Sequence, residues 1–590
     1  MRENDIVFFN IHRRYLDHMP NFDGFLGIYL LAAFVNENGY LGQAYAGSLH
    51  RSMELLDELC TKQKAAMIGL YCDYANVTEN QFVSRYVKER YGIPVIVGGP
   101  QATSLDEVFF KEARCDAVVY HEGELTVLEL MDCLLDGTGR LEDIKGIAYW
   151  QTDEVKTTTP RPVIENLDAL PFVDEDCYLL PQKNRRYLCI MTGRGCPFHC
   201  AFCYEGRSSG KVRFRSVGNV LEEIDRFLEE VPREVEPYIL FTDDTFTLDE
   251  KRVHRLCEGL KERQEKRHFH WFCEGHVHTL KLHPDMIKDI AAAGAMRIQL
   301  GIESGVPRVL EAYRKHTTPE EIKEIVAACR EAGIKQIYGN IILGSAFFSR
   351  EIYEQDLAFG KELLEWGQGA LELNVVCYWP LPETSITKEP EKYGIQIVDY
   401  DFYTSAEDFP QTETAEMSRW EILRLAQHME KEFAAKRKEM LLEGRVSLEQ
   451  ILSWYPRENT FKAYGLWWQT LQQMPNLYAY GQMLAVREGM TGRGATSYGR
   501  EVHPMRVISL QRHLQFFEDG QCGIEGTILS DLEMQILLLS TGRTNCQWIY
   551  KYLKAKNMLH RYEEMQAALE RLERAYLIVY SRESVFNRSL

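Results

Sequence analysis

Short apolar runs alternate with amphipathic stretches over the first 135 positions of the chain. The apolar runs, at residues 6–10, 43–46, 66–71, 94–98 and 117–120, predict strands. Residues 25–38, 52–62, 79–90, 105–113 and 125–135 carry helical periodicity. This alternation predicts a parallel sheet with helices on both faces. Such sheets take ligands beyond the carboxyl ends of their strands. Residues 141–187 are mixed: 146–150 reads as a strand, whereas 157–162 and the Leu170-Pro171 step read as linker.

The alternation resumes from 188 to about 395. Strands are predicted at 187–192, 238–243, 270–274, 296–301, 336–342 and 371–378, with helices between them, for instance over 220–230 and 319–332. Six such units fit a partial (β/α)6 barrel better than an open sheet, although periodicity alone leaves both open. Residues 415–515 are helix-rich and aromatic, and Trp467, Trp468, Tyr478 and Tyr480 read as helix core rather than a substrate box. Residues 525–590 suggest three helices followed by a short ribbon, the outline of a winged helix-turn-helix. No internal repeat is evident. The expected organisation is α/β: a Rossmann-like domain over 1–140, a linker over 141–187, a barrel over 188–395, an α-helical domain over 396–520 and a winged-helix-like domain over 521–590.

Composition narrows the classes. The 590 residues carry a net charge of -19, which argues against a nucleic-acid partner and leaves room for a small molecule or a basic peptide. The longest apolar stretch, residues 24–35, is too short to span a bilayer and reads as a buried helix. No secretory signal precedes the first strand, so a cytoplasmic protein without membrane attachment is expected. The 15 cysteines are an odd number and argue against a disulfide framework. Cys72, Cys115, Cys189, Cys257, Cys329 and Cys377 stand singly in apolar segments and read as small buried hydrophobes.

One group is tight. Cys196, Cys200 and Cys203 follow the strand at 187–192 with the spacing Cys-x3-Cys-x2-Cys. Soft thiolates select iron–sulfur clusters, zinc or copper(I). A structural zinc site wants a fourth ligand in paired spacing. His199 lies between two of the cysteines, poorly placed to share their metal, and no second Cys-x2-Cys pair exists. Three thiolates on a four-iron cluster leave one iron open to a substrate. The segment resembles the radical SAM superfamily, and Phe202, just before the last cysteine, fits that resemblance. The resemblance implies a [4Fe–4S] cluster on the three cysteines, S-adenosylmethionine (SAM) on the open iron, and an electron donor such as flavodoxin or ferredoxin. SAM cleavage would yield methionine and the 5′-deoxyadenosyl radical, the barrel supplying position and exclusion of water.

Further motifs sit at predicted strand ends, where barrels gather their active residues. They are Asp243 and Asp244 after the second strand, Glu274 after the third, Glu303 and Ser304 after the fourth, and Gly339-Asn340-Ile341-Ile342-Leu343-Gly344 at the fifth. By resemblance Phe202, Asp243, Asp244, Glu274, Glu303 and Ser304 are SAM contacts. Taken alone, each carboxylate also reads as a solvated loop residue. The segment Tyr378-Trp379-Pro380-Leu381-Pro382-Glu383-Thr384 resembles the Pro-Gly-Thr step of relatives, with Pro382-Glu383 in place of Pro-Gly.

In the first domain, Gly98-Gly99-Pro100 follows the fourth strand and His121-Glu122-Gly123-Glu124 the fifth. A glycine pair lets backbone approach a bulky ligand. The pattern is similar to the cobalamin-binding domain that precedes the barrel in one radical SAM subgroup, with His121 replacing the first glycine of a Gly-Glu-Gly-Glu step. It implies Gly98, Gly99, Gly123 and Glu124 as cofactor contacts. The other reading is a Rossmann-like domain that has lost its ligand or takes another nucleotide. The Asp-x-His-x-x-Gly motif, which supplies a lower histidine ligand to cobalt, is absent. Both cofactors together imply methyl transfer to an unactivated carbon. The alternatives are a cyclisation, oxidation or rearrangement on the same cofactors, and a non-catalytic cluster-bearing sensor. The C-terminal outline resembles domains that bind leader peptides in ribosomal-peptide maturation by lending a strand edge. A ribosomal peptide or related natural product is therefore the expected substrate, with a structural cap or a DNA reader as the other readings of that domain.

Overall fold

The computed structural model describes residues 4–12, 26–73, 76–104, 107–181, 186–204, 211–398, 409–454, 465–486, 490–492, 499–517, 521–524 and 526–582. The chain divides into two compact units, Met1–Phe433 and Ala434–Leu590.

The first unit opens with β1 (Asn4–His12), α1 (Leu26–Glu37), β2 (Gly42–Ser48), α2 (Leu49–Thr61), β3 (Ala65–Tyr71), α3 (Val77–Tyr91), β4 (Val95–Gly98), α4 (Glu107–Ala113), β5 (Ala117–Val119) and α5 (Glu124–Leu134). The five strands are parallel in the order β2-β1-β3-β4-β5. Alternate residues of β1 serve opposite cores. Ile6 and Phe8 pack with Ile28, Leu30, Val127 and Leu130 of α1 and α5, whereas Val7, Phe9 and Ile11 pack with Leu56, Val83 and Phe110 of α2, α3 and α4. Burial on both faces is why these strands read as continuous apolar runs. The expected strand at 146–150 is present as β6 (Ile147–Gln151) and is joined by β7 (Glu154–Thr157). Both extend the same sheet antiparallel, so residues 147–157 are sheet edge rather than the linker expected over 141–187.

The second layer system of this unit is a six-stranded parallel sheet. It comprises β8 (Tyr187–Ile190), then, after the short hairpin β9 (Gly193–Arg194) and β10 (Arg213–Phe214), β11 (Tyr238–Phe241), β12 (His270–Gly275), β13 (Ala295–Leu300), β14 (Gln336–Leu343) and β15 (Leu371–Cys377). The order β15-β14-β13-β12-β11-β8 follows the order of these strands along the chain, as a partial barrel requires. Helices of the same alternation carry local start signals. Ser216 caps 217–230, and Thr318 with Glu321 forms a capping box on 319–331.

The unit Ala434–Leu590 is helical with small sheets. Helices Asp531–Leu539, Cys546–Ala555 and Tyr562–Arg574 precede the strand Ile578–Ser581, as expected. That strand pairs antiparallel with Met490–Thr491 and His503–Arg506. Its partners thus come from ahead of position 521, and it is not a self-contained ribbon. Trp467, Trp468 and Tyr480 are buried, in keeping with helix core. The rest of the aromatic run, over 455–464, lies outside the described residues. Among the described residues no helix is long and apolar enough to cross a membrane.

Candidate active site

Cys196, Cys200 and Cys203 lie on the loop that leaves β8 through β9, all half-buried. The loop is pinned on several sides. The Ala201 amide donates to the Tyr313 carbonyl at 3.0 Å, the Ile386 amide to the Ala201 carbonyl at 3.1 Å, and the Cys203 amide to the Cys200 carbonyl at 3.1 Å. Phe198 stacks on His276 with ring centroids 3.8 Å apart, and Phe202 meets Tyr313 edge-on at 4.9 Å. A single tetrahedral zinc with Zn–S bonds of about 2.3 Å would draw its sulfurs to about 3.8 Å of one another. Among the described residues, the groups whose ligand atoms gather within 4.8 Å do not include these three.

Glu303 follows β13 at φ +61°, a left-handed conformation unusual for a non-glycine. The strain is held by two backbone bonds to β14, from the Glu303 amide to the Asn340 carbonyl at 2.8 Å and from the Ile342 amide to the Glu303 carbonyl at 2.9 Å. Its Oε1 faces Nζ of Lys315 at 3.1 Å, and both residues are buried. Burial alone would lower the Lys315 pKa, but Glu303 and the Cys200 thiol outweigh it and the ammonium is favoured. Burial raises the Cys200 thiol, and Lys315 opposes that rise. A side chain at Gly301 would collide with Nζ of Lys315 and stand 2.6 Å from Oε1 of Glu303, so glycine there is a condition of the pair. His276, after β12, is buried and held neutral, its pKa pushed down to about 2 by burial and by Lys315, His278 and His316. Its Nδ1 accepts from the His278 amide at 3.2 Å.

Among the other expected SAM contacts, Asp243 and Ser304 bond within the protein. Asp243 is fully buried. Its Oδ1 accepts from the amides of Thr192 at 2.5 Å and Gly193 at 3.1 Å, and its Oδ2 from the Thr192 hydroxyl. Burial raises its pKa against these bonds. Ser304 donates to Oδ1 of Asp356 at 2.7 Å and is wholly buried. Burial pushes the Asp356 carboxyl up to about 7, against the Gly305 and Ser304 bonds. Asp244 accepts from the Gly195 amide at 3.0 Å and lines the cavity described next. Glu274 is half-buried at the end of β12.

A cavity of about 400 Å³ opens over the carboxyl ends of β1, β3, β4 and β5. Strand order reverses between β1 and β3, the place where such sheets bind ligands. Its floor includes Phe8, Gly69, Gly98, Gly99 and Gly123. Gly99 has φ +114°, and a Cβ there would stand 2.6 Å from the Cys72 carbonyl. The opposite wall is built from the cluster loop and second barrel strand: Met191, Gly193, Arg194, Tyr204, Thr242 and Asp244.

The acidic residues of the first domain's motif are partly spent on that wall. Arg194 pairs with Glu124 through Nη2, and its Nη1 lies 3.4 Å from Oε1 of Glu122. Arg213 Nη2 lies 2.6 Å from the same Oε1, and the Ile164 amide donates to Oε2 at 2.8 Å. The desolvation that would raise Glu122 is outweighed by these partners, so its pKa is lowered. Glu124, expected as a cofactor contact, therefore lines the cavity while holding the β9–β10 hairpin. Lys315, Arg194 and Arg213 were not legible as site residues. Only the position of Arg194, two before Cys196, offered a signal.

The six-stranded parallel half-barrel thus carries a three-cysteine loop after its first strand. Residues 190–352 match the Radical SAM superfamily, and the cofactors which that family implies are a [4Fe–4S] cluster and SAM. Over 296 residues, 49% of this chain and 59% of the relative, it is 34% identical to an uncharacterized methyltransferase of Pyrococcus horikoshii. Over 318 residues, 52% of this chain and 50% of the relative, it is 26% identical to the anaerobic magnesium-protoporphyrin IX monomethyl ester cyclase of Cereibacter sphaeroides. The chain thus spans about half to three fifths of these curated relatives' length. Its fold matches the solved structure of the radical S-adenosylmethionine methyltransferase TsrM from Kitasatospora setae with cobalamin and a [4Fe–4S] cluster bound. The TM-score is 0.54 at 15% identity, covering 68% of this chain and 78% of that one.

Proposed function

We propose that the chain is a cobalamin-dependent radical SAM C-methyltransferase. One observation carries this reading: the cavity over the first sheet is walled by the cluster loop itself, through Met191, Gly193, Arg194 and Tyr204. A group held over Gly98 and Gly99 would face the chemistry of the cysteines. The methyltransferase relative and the shared fold of TsrM support it. Cys196, Cys200 and Cys203 would hold the cluster. Glu303 and Lys315 offer a carboxylate and an ammonium matched to the amino and carboxylate groups of SAM. Gly69, Gly98 and Gly99 line the cavity and would face a bound cobalamin. When bound, the cluster with SAM supplies a hydrogen-abstracting radical and cobalamin a transferable methyl group. The chain's own part is to orient these groups through the Arg194–Glu124 and Arg213–Glu122 pairs and to keep water from the space between them.

The test is anaerobic reconstitution with cobalamin, SAM, reductant and a candidate substrate, following S-adenosylhomocysteine and 5′-deoxyadenosine. Equal amounts of the two are expected. Deoxyadenosine without S-adenosylhomocysteine would overturn methyl transfer in favour of cyclisation, oxidation or rearrangement, the reading that the cyclase relative favours. For the substrate we infer a ribosomal peptide or related natural product, with flavodoxin or ferredoxin as electron donor. The exposed Trp548, stacked on Tyr552 at 5.3 Å, gives the Ala434–Leu590 unit an apolar grip suited to a peptide. Precursor-peptide binding that is equal in wild type and Trp548→Ala would remove that support.

A further inference from the structure

We propose that Glu236, His268 and His270 form a binding site for a borderline divalent cation, zinc foremost, at the N-terminal face of the barrel. This is the end opposite the cysteine loop, and the proposal is independent of the reading of that loop.

The three residues come together by strand register. β11 and β12 pair parallel with Tyr238 opposite His270. Glu236 and His268 lie two residues before Tyr238 and His270, just ahead of the paired strands. In extended chain, positions two apart share a face, so both imidazoles turn toward the carboxylate. Their ligand atoms all lie within 4.8 Å of one another. Nε2 of His270 stands 2.7 Å from Oε1 of Glu236, and Nε2 of His268 stands 3.7 Å from the same oxygen. Buried Nε2 of His270 makes no hydrogen bond of good geometry despite that short approach. Two ligand atoms at such a distance, not aligned on each other, are arranged as donors to a third centre.

The tautomer of His268 is also set. Its Nδ1 lies 3.2 Å from Oε1 of Gln264. The same oxygen accepts from the Phe269 amide at 3.2 Å, while Nε2 of Gln264 donates to the Phe269 carbonyl at 2.8 Å. The amide orientation is thereby fixed, so Nδ1 of His268 must be the donor and Nε2 carries the lone pair. A carbonyl oxygen behind the far ring nitrogen is the usual support of a metal-ligating histidine. Two imidazoles and one carboxylate suit zinc, cobalt or nickel rather than magnesium or calcium. His268 is exposed, which leaves an entry path and room for a water as fourth ligand. Lys335 lies near enough to act on His270 and opposes a second cation. The site should therefore be of moderate affinity, clipping β11 to β12 on the face of a barrel that serves stability rather than chemistry.

The test uses the full chain with its cluster reconstituted anaerobically and zinc added, then dialysed. Expected is about one zinc per chain with a nitrogen/oxygen shell at about 2.0–2.1 Å and no sulfur at about 2.3 Å by X-ray absorption. His268→Ala should lose that zinc, and Gln264→Ala should weaken it about 10–100-fold. Iron per chain, read on the same samples, should be unchanged in both and reports that the fold is intact. Zinc should raise the melting temperature of the wild type and not of His268→Ala. No retained zinc, a sulfur shell, or equal zinc in wild type and in a Glu236→Gln/His268→Ala variant would each overturn the proposal.

Discussion

At the barrel's strand ends, the carboxylate of Glu303 is balanced by Lys315, twelve positions on in the same domain. At the strand ends of the first sheet, Glu122 and Glu124 are balanced by Arg213 and Arg194 of the cluster hairpin, 91 and 70 positions away. The two regions share an outward grammar of glycines and acids after parallel strands. In the barrel the acid is strained, buried and close to the cysteines. In the first sheet the glycines make the cavity, and the acids fasten its far wall. An acidic residue in a strand-end motif thus pairs within its own domain near the cysteines in one region and latches two domains in the other.

That contrast can be broken at graded cost. The largest effect is expected for Cys200→Ala, which should lose the cluster's visible absorption and all reductive SAM cleavage, with the fold retained by circular dichroism. Next is Lys315→Ala, which leaves Glu303 as an uncompensated buried charge. It should destabilise by about 3–5 kcal/mol in denaturant melts and depress SAM cleavage. Lys315→Ala/Glu303→Gln should recover the stability and not the cleavage; recovery of both would make the pair purely structural. Arg194→Met should cost about 2–3 kcal/mol, less because Arg194 is partly exposed. It should weaken cobalamin retention in gel filtration while iron content stays constant. Unaltered retention would mean that the latch does not shape the cavity.

The smallest effect concerns Asp356. Its carboxyl is raised in the fold to about 7, so the folded state holds a proton that the unfolded chain has lost above its ordinary carboxylate range. Stability linked to this group is full below about pH 4 and declines as pH rises toward 7, by roughly 1–2 kcal/mol per pH unit at most. Asp356→Asn keeps an acceptor for Ser304 and Gly305. It should flatten the melting temperature between pH 5 and 8 relative to wild type and raise it at pH 8. An unchanged pH profile would show that the Asp356 carboxyl keeps its ordinary range in the fold.

Much of the fold was legible because parallel strands buried on both faces are written as apolar runs. Strands β1 to β5 and the six barrel strands lie close to where periodicity puts them. The exposed strand β7, with the polar sequence Glu-Val-Lys-Thr, carried no such signal and was passed over as linker. At the site the cysteines were legible, since three soft ligands need only local spacing. For Asp243 and Ser304 the sequence offered the residues but not their internal partners. Whether a carboxylate after a strand meets a ligand or a backbone amide depends on what the next loop brings to it, here Thr192 and Gly193 for one and Asp356 for the other.

The sequence by itself determined the local features of this protein: strand and helix periods, the cysteine spacing, and the glycines that keep room at Gly98, Gly99 and Gly301. These rest on interactions within a few residues of chain, or on the absence of a side chain, and neither needs a partner to be known. Only the tertiary structure decided which charges neutralise one another. Lys315 with Glu303, Arg194 with Glu124 and Arg213 with Glu122 are pairs whose energy depends on burial and distance, and neither quantity is encoded in the order of residues.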